Sequence, residues 1–159
     1  MTNLVTALAL QQVGRLPEAE AIYRSIVAAE PGNVDALYLL GLLCRQTQEP
    51  ESAVKWIRRA IAINDRVAQF HNHLGAALLD IGESDEAKRC FARALQLEPR
   101  YADALLNLGN LLIRSGQDDE AATCYRAVLR LQPDHATAAS NLQLALRHRT
   151  LAAAAQASA

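Results

Sequence analysis

The sequence has few of the features that would indicate a specialised partner or compartment. Its 159 residues carry 16 Lys and Arg against 17 Asp and Glu, so no basic surface indicates nucleic acid and no polybasic run indicates a membrane surface. The three cysteines, Cys44, Cys90 and Cys124, have neither CxxC spacing nor an even count. A disulfide framework is therefore not expected, and a reducing compartment is the simplest interpretation.

Long hydrophobic runs and targeting signals are also missing. No apolar stretch approaches the ~20 residues that a membrane-spanning helix needs. The apolar segment LVTALAL at residues 4–10 is preceded by no Lys or Arg and is followed by no convincing cleavage site, which argues against a signal peptide. We therefore expect a soluble, cytoplasmic protein.

Recognisable catalytic and metal-binding motifs are absent as well. No Gly-rich phosphate loop follows a predicted strand, and no nucleophile has a matched base. His71 and His73 are two residues apart, so on a helix they point in different directions and cannot share a metal ion. The sequence predicts no enzyme activity, no cofactor and no metal.

What the sequence does contain is a repeat. Its hydrophobic content of 51% is sufficient for one domain of ordinary size. Self-similarity at one fixed period of this length is typical of stacked helical solenoids. Four sets of residues recur every 34 positions: Gly41, Gly75 and Gly109; Ala19, Ala53, Ala87 and Ala121; Pro31, Pro99 and Pro133, with Asp65 in the missing place; and Tyr23, Ile57, Phe91 and Tyr125.

Each repeat has the apolar periodicity of two amphipathic helices. In the first helix Leu37, Leu40, Gly41 and Cys44 form one stripe, and the equivalent stripe of a later repeat contains Gly109. A glycine facing a bulky side chain allows close packing of an antiparallel pair. The pattern predicts helix pairs at about 2–13 with 17–30, 35–46 with 51–63, 69–80 with 84–97, and 102–114 with 118–131. A last helix at about 136–150 is predicted to cap the fourth pair through Leu142, Ala145 and Leu146, followed by a low-complexity tail at 151–159.

The phrases LLG at 39–41, HLG at 73–75 and NLG at 107–109, with the later SAVKWI, EAKRCF and EAATCY, resemble the tetratricopeptide repeat. NLGNLL and CYRAVL are also similar to the repeat array of O-linked N-acetylglucosamine transferases. The resemblance implies an all-α, right-handed superhelix over residues 1–150, with repeats at about 1–33, 34–67, 68–101 and 102–135. Departures from the pattern are Asp65, where proline is usual, and the first repeat, whose stripe holds Asn3, Thr6, Ala7 and Leu10.

In arrays of this family the first helices line a concave groove, so the resemblance makes their variable residues candidate ligand contacts. The candidates are an apolar set, Tyr38, Leu39 and Leu42, and a polar set, Asn72, His73, Asn107, Asn110 and Asn141. The leucines can instead pack between neighbouring helices, and the asparagines can form hydrogen bonds between repeats or be solvated. We predict that His73, Asn107 and Asn141, each one repeat apart, form a polar ladder that binds the main chain of an extended peptide.

The predicted function is a non-catalytic scaffold that binds a protein or peptide. The family's clamp for peptide C-terminal carboxylates uses Lys and Arg on first helices, whereas Tyr38, His73 and Leu106 stand near those places here, which disfavours such a clamp. Two alternatives stay open. The array can be the regulatory or substrate-selecting part of a larger enzyme, or it can self-assemble weakly through Leu4, Val5 and Leu8.

Overall fold

The computed structural model describes residues 3–157, and every regular element within them is an α-helix. Met1, Thr2, Ser158 and Ala159 lie outside the described residues, and with them the predicted start of the first helix at residue 2 and the last two residues of the predicted tail. The helices are α1 (Leu4–Gln12), α2 (Leu16–Ala29), α3 (Val34–Gln46), α4 (Pro50–Ile63), α5 (Ala68–Asp80), α6 (Ser84–Leu97), α7 (Ala102–Arg114), α8 (Asp118–Leu131) and α9 (Ala136–Ala157).

Local sequence explains where the helices begin. The side chains of Asn3 and Asn33 cap α1 and α3 by accepting hydrogen bonds from the backbone N–H groups of Thr6 and Ala36. Proline stands in the first turn of α2 and of α4. Backbone N–H groups in the first turn have no partner within the helix, so the missing N–H of proline costs no helical hydrogen bond there. The predicted bounds of α1 to α8 agree with the structure within two residues.

The connection after the first helix of each pair contains a residue with positive φ, two positions beyond the end of the helix. Gly14, Gly82 and Gly116 have φ of 81°, 85° and 72°, a region that glycine enters without steric cost. Gln48 occupies the same place in the second repeat with φ of 64°. The α3 to α4 connection therefore keeps the turn geometry with a residue that is poorly suited to it.

The last helix is longer than predicted. The sequence predicts an end near residue 150, but α9 continues to Ala157, so the start of the predicted tail is helical. Alanine has the highest helix propensity, and neither glycine nor proline interrupts this segment. The side chains of residues 151–155 are exposed, because no part of the core reaches them.

The chain forms two compact units, whereas the composition suggested one domain. Unit 1 extends to Ala87 and unit 2 begins at Lys88, so the boundary lies within α6. In unit 1, α1 packs on α2, α2 on α3, α3 on α4, and α5 on both α3 and α4. In unit 2, α8 packs on α7 and α9, and α7 also contacts α9. Short connections make each sequential pair antiparallel.

The predicted packing stripes form the core of unit 1. Leu37, Leu40 and Cys44 of α3 are fully or almost fully buried, and so is Ile57 of α4. A Cβ atom at Gly41 would lie 2.6 Å from the Cγ1 atom of Ile57, so α3 and α4 are in contact at this glycine. This confirms the predicted packing of a glycine against a bulky neighbour.

The core of unit 2 follows the same plan. Leu112, Tyr125 and Val128 form a buried cluster with Ala138 of α9, and Leu142 packs against it. The Cε1 atom of Tyr125 lies 2.8 Å from the place that a Cβ atom would take at Gly109. Helix α9 therefore covers the apolar face of α8, as the sequence predicts.

Candidate binding surfaces on the first helices

Tyr38 and His73, two of the predicted contacts, come together in unit 1. The Tyr38 hydroxyl and His73 Nδ1 form a short hydrogen bond that joins α3 to α5. The Tyr38 ring also packs against Phe70, with ring centroids 4.4 Å apart. The structure thus builds an aromatic and imidazole cluster from the first helices of two successive repeats.

Beside this cluster is an open cleft of about 590 Å³. Leu42 and His73 contribute to its lining, and so do Arg45 and Asp80, whose side chains form an ion pair with Nε to Oδ2 of 2.6 Å. Both members of the pair are partly exposed. Gln46, Gln48 and Pro50 complete the lining.

Sequence reasoning missed Arg45 and Asp80, although the spacing held a signal. Gln11 Nε2 donates to Gln46 Oε1 at 2.9 Å, and this pair, Tyr38 with His73, and Arg45 with Asp80 are all separated by 35 residues. One repeat plus one residue therefore links polar side chains on successive first helices. A search for complementary side chains at this spacing would have found all three pairs.

Asn72 does not lie on the surface as predicted. Its side chain is 2% exposed, and the neighbouring His71 is also buried, with Nε2 2.8 Å from the backbone oxygen of Asp65. Consecutive residues on a helix point about 100° apart, and here Asn72 is turned into the core while its neighbour His73 lines the cleft. Leu39 and Leu42 are each partly exposed, which is compatible with packing and with ligand contact.

Two of the predicted asparagines of unit 2 form a hydrogen-bonded cluster with a buried tyrosine. Asn110 Oδ1 accepts from the Tyr125 hydroxyl at 2.9 Å and from Asn141 Nδ2 at 2.8 Å. Tyr125 is fully buried, and burial raises the pKa of its hydroxyl to about 12, although the hydrogen bond from Asn141 opposes the shift. Asn110 therefore supplies the acceptor that a buried hydroxyl requires, and Asn107 is partly exposed on the same helix.

Unit 1 also provides an acceptor for a buried tyrosine hydroxyl. Tyr23, the equivalent of Tyr125, is fully buried and donates to Gln11 Oε1 at 3.0 Å. The intervening repeats place Ile57 and Phe91 there, which have no hydroxyl group. In both repeats that have tyrosine at this place, a side-chain amide on the first helix accepts a hydrogen bond from the tyrosine hydroxyl.

The three cysteines and the possible metal ligands show no features of a reactive or metal-binding site among the described residues. Cys44 and Cys90 are buried, whereas Cys124 is partly buried. Burial, with a contribution from Glu49, raises the pKa of the Cys44 thiol to about 11, which disfavours the reactive thiolate. Among residues 3–157 no group of His, Cys, Asp or Glu could hold a metal ion, and no helix there is long and apolar enough to cross a membrane.

The sequence profile of the tetratricopeptide repeat family matches residues 4–68, 73–136 and 109–159. The chain therefore belongs to the tetratricopeptide repeat family. This confirms the predicted fold class, an all-α array of tetratricopeptide-like helix pairs, and it places the protein in a class whose fold typically serves as an interaction scaffold.

Two kinds of relative are informative. The N-alpha-acetyltransferase 25 auxiliary subunit of NatB from Rattus norvegicus is 30% identical over 81 residues, which cover 51% of this chain. The chain spans only 8% of that relative's length. Among solved structures, MamA is 26% identical with a TM-score of 0.84, over 91% of this chain and 79% of that one.

Two more distant structures show the fold alone. PilF of Pseudomonas aeruginosa is 23% identical with a TM-score of 0.84, over 92% of this chain and 67% of that one. YrrB, described as a TPR protein with an unusual peptide-binding site, is 24% identical with a TM-score of 0.77, over 85% of this chain and 70% of that one.

Proposed function

We propose that the protein is a non-catalytic scaffold that binds an extended segment of another protein on its first helices. The observation that carries the proposal is the open cleft of unit 1, where Leu42, His73 and the Arg45–Asp80 pair lie side by side. Its volume of about 590 Å³ is in the range of ligand sites. The description of YrrB is in keeping with peptide binding by this fold.

The chemistry of the cleft suits a peptide better than an apolar small molecule. An extended peptide presents a main-chain donor and acceptor at every residue, so it needs polar partners along its length. His73, Arg45 and Asp80 provide such groups, while Leu42 and Leu39 offer apolar contact to a side chain. We propose that the asparagines of α7 and α9 play the corresponding polar role in unit 2, with Asn107 as the principal contact.

The proposed contact set differs from the sequence prediction: it adds Arg45 and Asp80, omits Asn72 and changes the role of Asn110 and Asn141. Asn72 is omitted because it is buried, whereas Tyr38 is kept because its hydrogen bond fixes the His73 ring. Asn110 and Asn141 are hydrogen-bonded to each other. We propose that they orient the polar surface and contact the ligand only through donors and acceptors that this hydrogen bond does not use.

A second candidate function is that of a non-catalytic part of a larger enzyme assembly. The match to the NatB auxiliary subunit favours it, because an auxiliary subunit is such a part. The two functions make different predictions about the partner: a scaffold binds a peptide segment alone, whereas an auxiliary part forms a stable complex with a catalytic chain.

Site-specific photo-crosslinking tests the proposal. A benzoylphenylalanine residue at Leu42 should form a covalent product with the partner segment, and mass spectrometry then identifies the attached peptide. The same amino acid at Ala92, an exposed position of α6, is the control and should give no product. Equal labelling at both positions would contradict a site on the first helices.

Titration of the identified segment then tests the contacts. Leu42→Gln and Asn107→Ala should each weaken binding by about 0.5–1.5 kcal/mol, the usual value of one contact of this kind, with circular dichroism showing an intact fold. Affinity should change little with salt, because the two charged side chains of the cleft, Arg45 and Asp80, already neutralise each other and the other proposed contacts are uncharged groups. Unchanged affinity in the Leu42→Gln and Asn107→Ala double variant would refute the proposed surface.

A further inference from the structure

The chain's only tryptophan is surrounded by positive charge. Trp56 of α4 has the guanidinium carbons of Arg59 and Arg24 at 4.9 Å and 5.9 Å from its ring centroid, and Lys55 Nζ at 5.4 Å. All three distances are within the range of cation–π attraction. We call Arg24, Lys55, Trp56 and Arg59 the Trp56 patch.

Most of the charge in the Trp56 patch is not neutralised. Arg24 forms an ion pair with Glu20 at 2.7 Å, but within residues 3–157 neither Lys55 nor Arg59 has a carboxylate oxygen within 4.0 Å. Arg59 Nη2 instead donates to the backbone oxygen of Pro31 at 3.5 Å. The patch thus keeps about two uncompensated positive charges on a chain whose net charge is −1.

Repeat packing does not require this arrangement. The places equivalent to Trp56 in the other repeats hold Ile22, Cys90 and Cys124, so a large aromatic ring is not needed to pack the second helices. The place equivalent to Lys55 holds alanine in the first repeat and threonine in the fourth, and the third repeat has a cation there, Arg89, but no aromatic ring beside it at Cys90. The Trp56 patch is therefore a local feature of unit 1.

The patch also has a shape that a ligand can fill. A shallow depression of about 320 Å³ is lined by the apolar side chains of Val27, Ala28, Pro31 and Trp56 and by the guanidinium groups of Arg24 and Arg59. Arg59 lies over the Trp56 ring and donates to the Pro31 carbonyl, so part of its conformational freedom is already lost before a ligand binds. An apolar floor with a cationic rim can receive an apolar side chain that is flanked by acidic groups.

We propose that the Trp56 patch docks an acidic protein segment in which an aromatic or large aliphatic side chain stands beside carboxylates. Arginine matches carboxylates through its planar fork of donors, and the apolar floor accounts for the neighbouring side chain. A nucleic-acid backbone is a poorer fit, because it needs a row of cations rather than two. This site lies on the second helices α2 and α4, and it is separate from the cleft between α3 and α5.

Trp56 itself reports on the proposed contact, since it is the only tryptophan. The probe is a short blocked peptide of alternating Asp or Glu with Phe or Leu, and its control replaces every acid by the corresponding amide. The acidic peptide should change Trp56 emission in a saturable way, whereas the amide peptide should not. Binding should weaken severalfold when salt is raised, which distinguishes it from the salt-insensitive binding proposed for the first helices.

Three variants locate the binding energy. Arg59→Gln should weaken the affinity for a labelled acidic peptide by about threefold to tenfold, and Arg59→Lys by less, because lysine keeps the charge but not the fork. Arg126→Gln removes one positive charge from an exposed residue at the place in α8 that is equivalent to Arg24, and it should leave the affinity unchanged. Circular dichroism of each variant checks that the fold is intact.

The outcomes divide clearly. Saturable binding that depends on acid, on salt and on Arg59 supports the proposal. Absence of saturable binding overturns it, and so does equal affinity in Arg59→Gln and Arg126→Gln. If a single-stranded oligonucleotide or vesicles of anionic lipid bind with the same Arg59 dependence while the acidic peptide does not, the patch recognises another polyanion and the proposal fails.

Discussion

The contact between Gly41 and Ile57 allows one added methyl group to test the packing of unit 1. In Gly41→Ala the new Cβ would lie 2.6 Å from Ile57 Cγ1 and 3.3 Å from two backbone atoms, the oxygen of Ala53 and the nitrogen of Ile57. Ile57 is fully buried, so its side chain has no open space into which to move. The added methyl group must therefore separate α3 from α4.

Two opposing contributions determine how much Gly41→Ala changes the free energy of unfolding. Replacing glycine by alanine inside a helix stabilises by about 1 kcal/mol, whereas overpacking a well-packed core costs about 1–3 kcal/mol. A contact of 2.6 Å is far inside van der Waals distance, and Ile57 is fully buried in a close-packed core, so we expect the upper part of the cost. The expected net loss is about 1–2 kcal/mol, which corresponds to a drop of roughly 2–8 °C in Tm for a protein of this size.

Urea and thermal denaturation followed by circular dichroism measure this loss. Gly32→Ala is the matched control, because a Cβ there would meet nothing within 4 Å, and it should leave stability unchanged or raise it slightly. Ile57→Ala removes Cγ1, so the loss caused by Gly41→Ala should shrink by about 1 kcal/mol when it is added to that variant. A Tm of Gly41→Ala at or above that of the parent, or an effect fully additive with Ile57→Ala, would show that the added methyl group does not clash with Ile57.

Three further predictions follow from single side chains. Gln48→Gly should stabilise by about 0.5–1 kcal/mol in urea denaturation, because glycine adopts positive φ without strain, and Gly116→Gln should destabilise by a similar amount. Burial raises the pKa of the Tyr125 hydroxyl to about 12, against about 10 in the unfolded chain. The neutral hydroxyl therefore stabilises the fold fully below about pH 10, and this stabilisation is lost as pH rises towards 12. The difference between the urea midpoints at about pH 9 and about pH 11 should be smaller in Tyr125→Phe than in the parent. Burial raises the pKa of both the Cys44 and the Cys124 thiol, so exposure decides their order: in native protein a thiol reagent should modify the partly exposed Cys124 faster than the buried Cys44, and all thiols should react alike in denaturant.

The fold was predictable because the residues that pack the helices recur at the same positions in successive repeats. Gly41 and Gly109 stand opposite large side chains of the second helix, so the period alone located both close contacts. Helix bounds were equally clear, since proline and glycine mark the ends of the pairs. Gln48 shows the limit of this reasoning, because its positive φ is imposed by the repeat and is invisible in its own residue type.

The candidate site was less predictable, because periodicity identifies a helix face but not what the side chains on it bind. The sequence predicts that Asn72 lies in the groove, but its side chain is buried. Arg45 and Asp80 were overlooked because each resembles an ordinary solvated charge until the two helices are brought together. Polar side chains on a repeat surface can bind one another, the core or a ligand, and sequence alone does not distinguish these partners.

Asn110 and Asn141 show how the structure changes a prediction about the asparagine row. From sequence alone, Asn110 and Asn141 are candidate ligand contacts, and Asn141 belongs to the polar ladder. The structure gives Asn110 a buried partner, so Asn110→Ala would leave the Tyr125 hydroxyl without its acceptor and should cost about 1–3 kcal/mol of stability. Asn110→Asp retains an oxygen acceptor and should lie closer to the parent, whereas Asn141→Ala removes one neutral hydrogen bond and should cost about 0.5–1.5 kcal/mol. Equal stability of Asn110→Ala and the parent in urea denaturation would show that the cluster contributes nothing to the core and would return Asn110 to the set of ligand contacts.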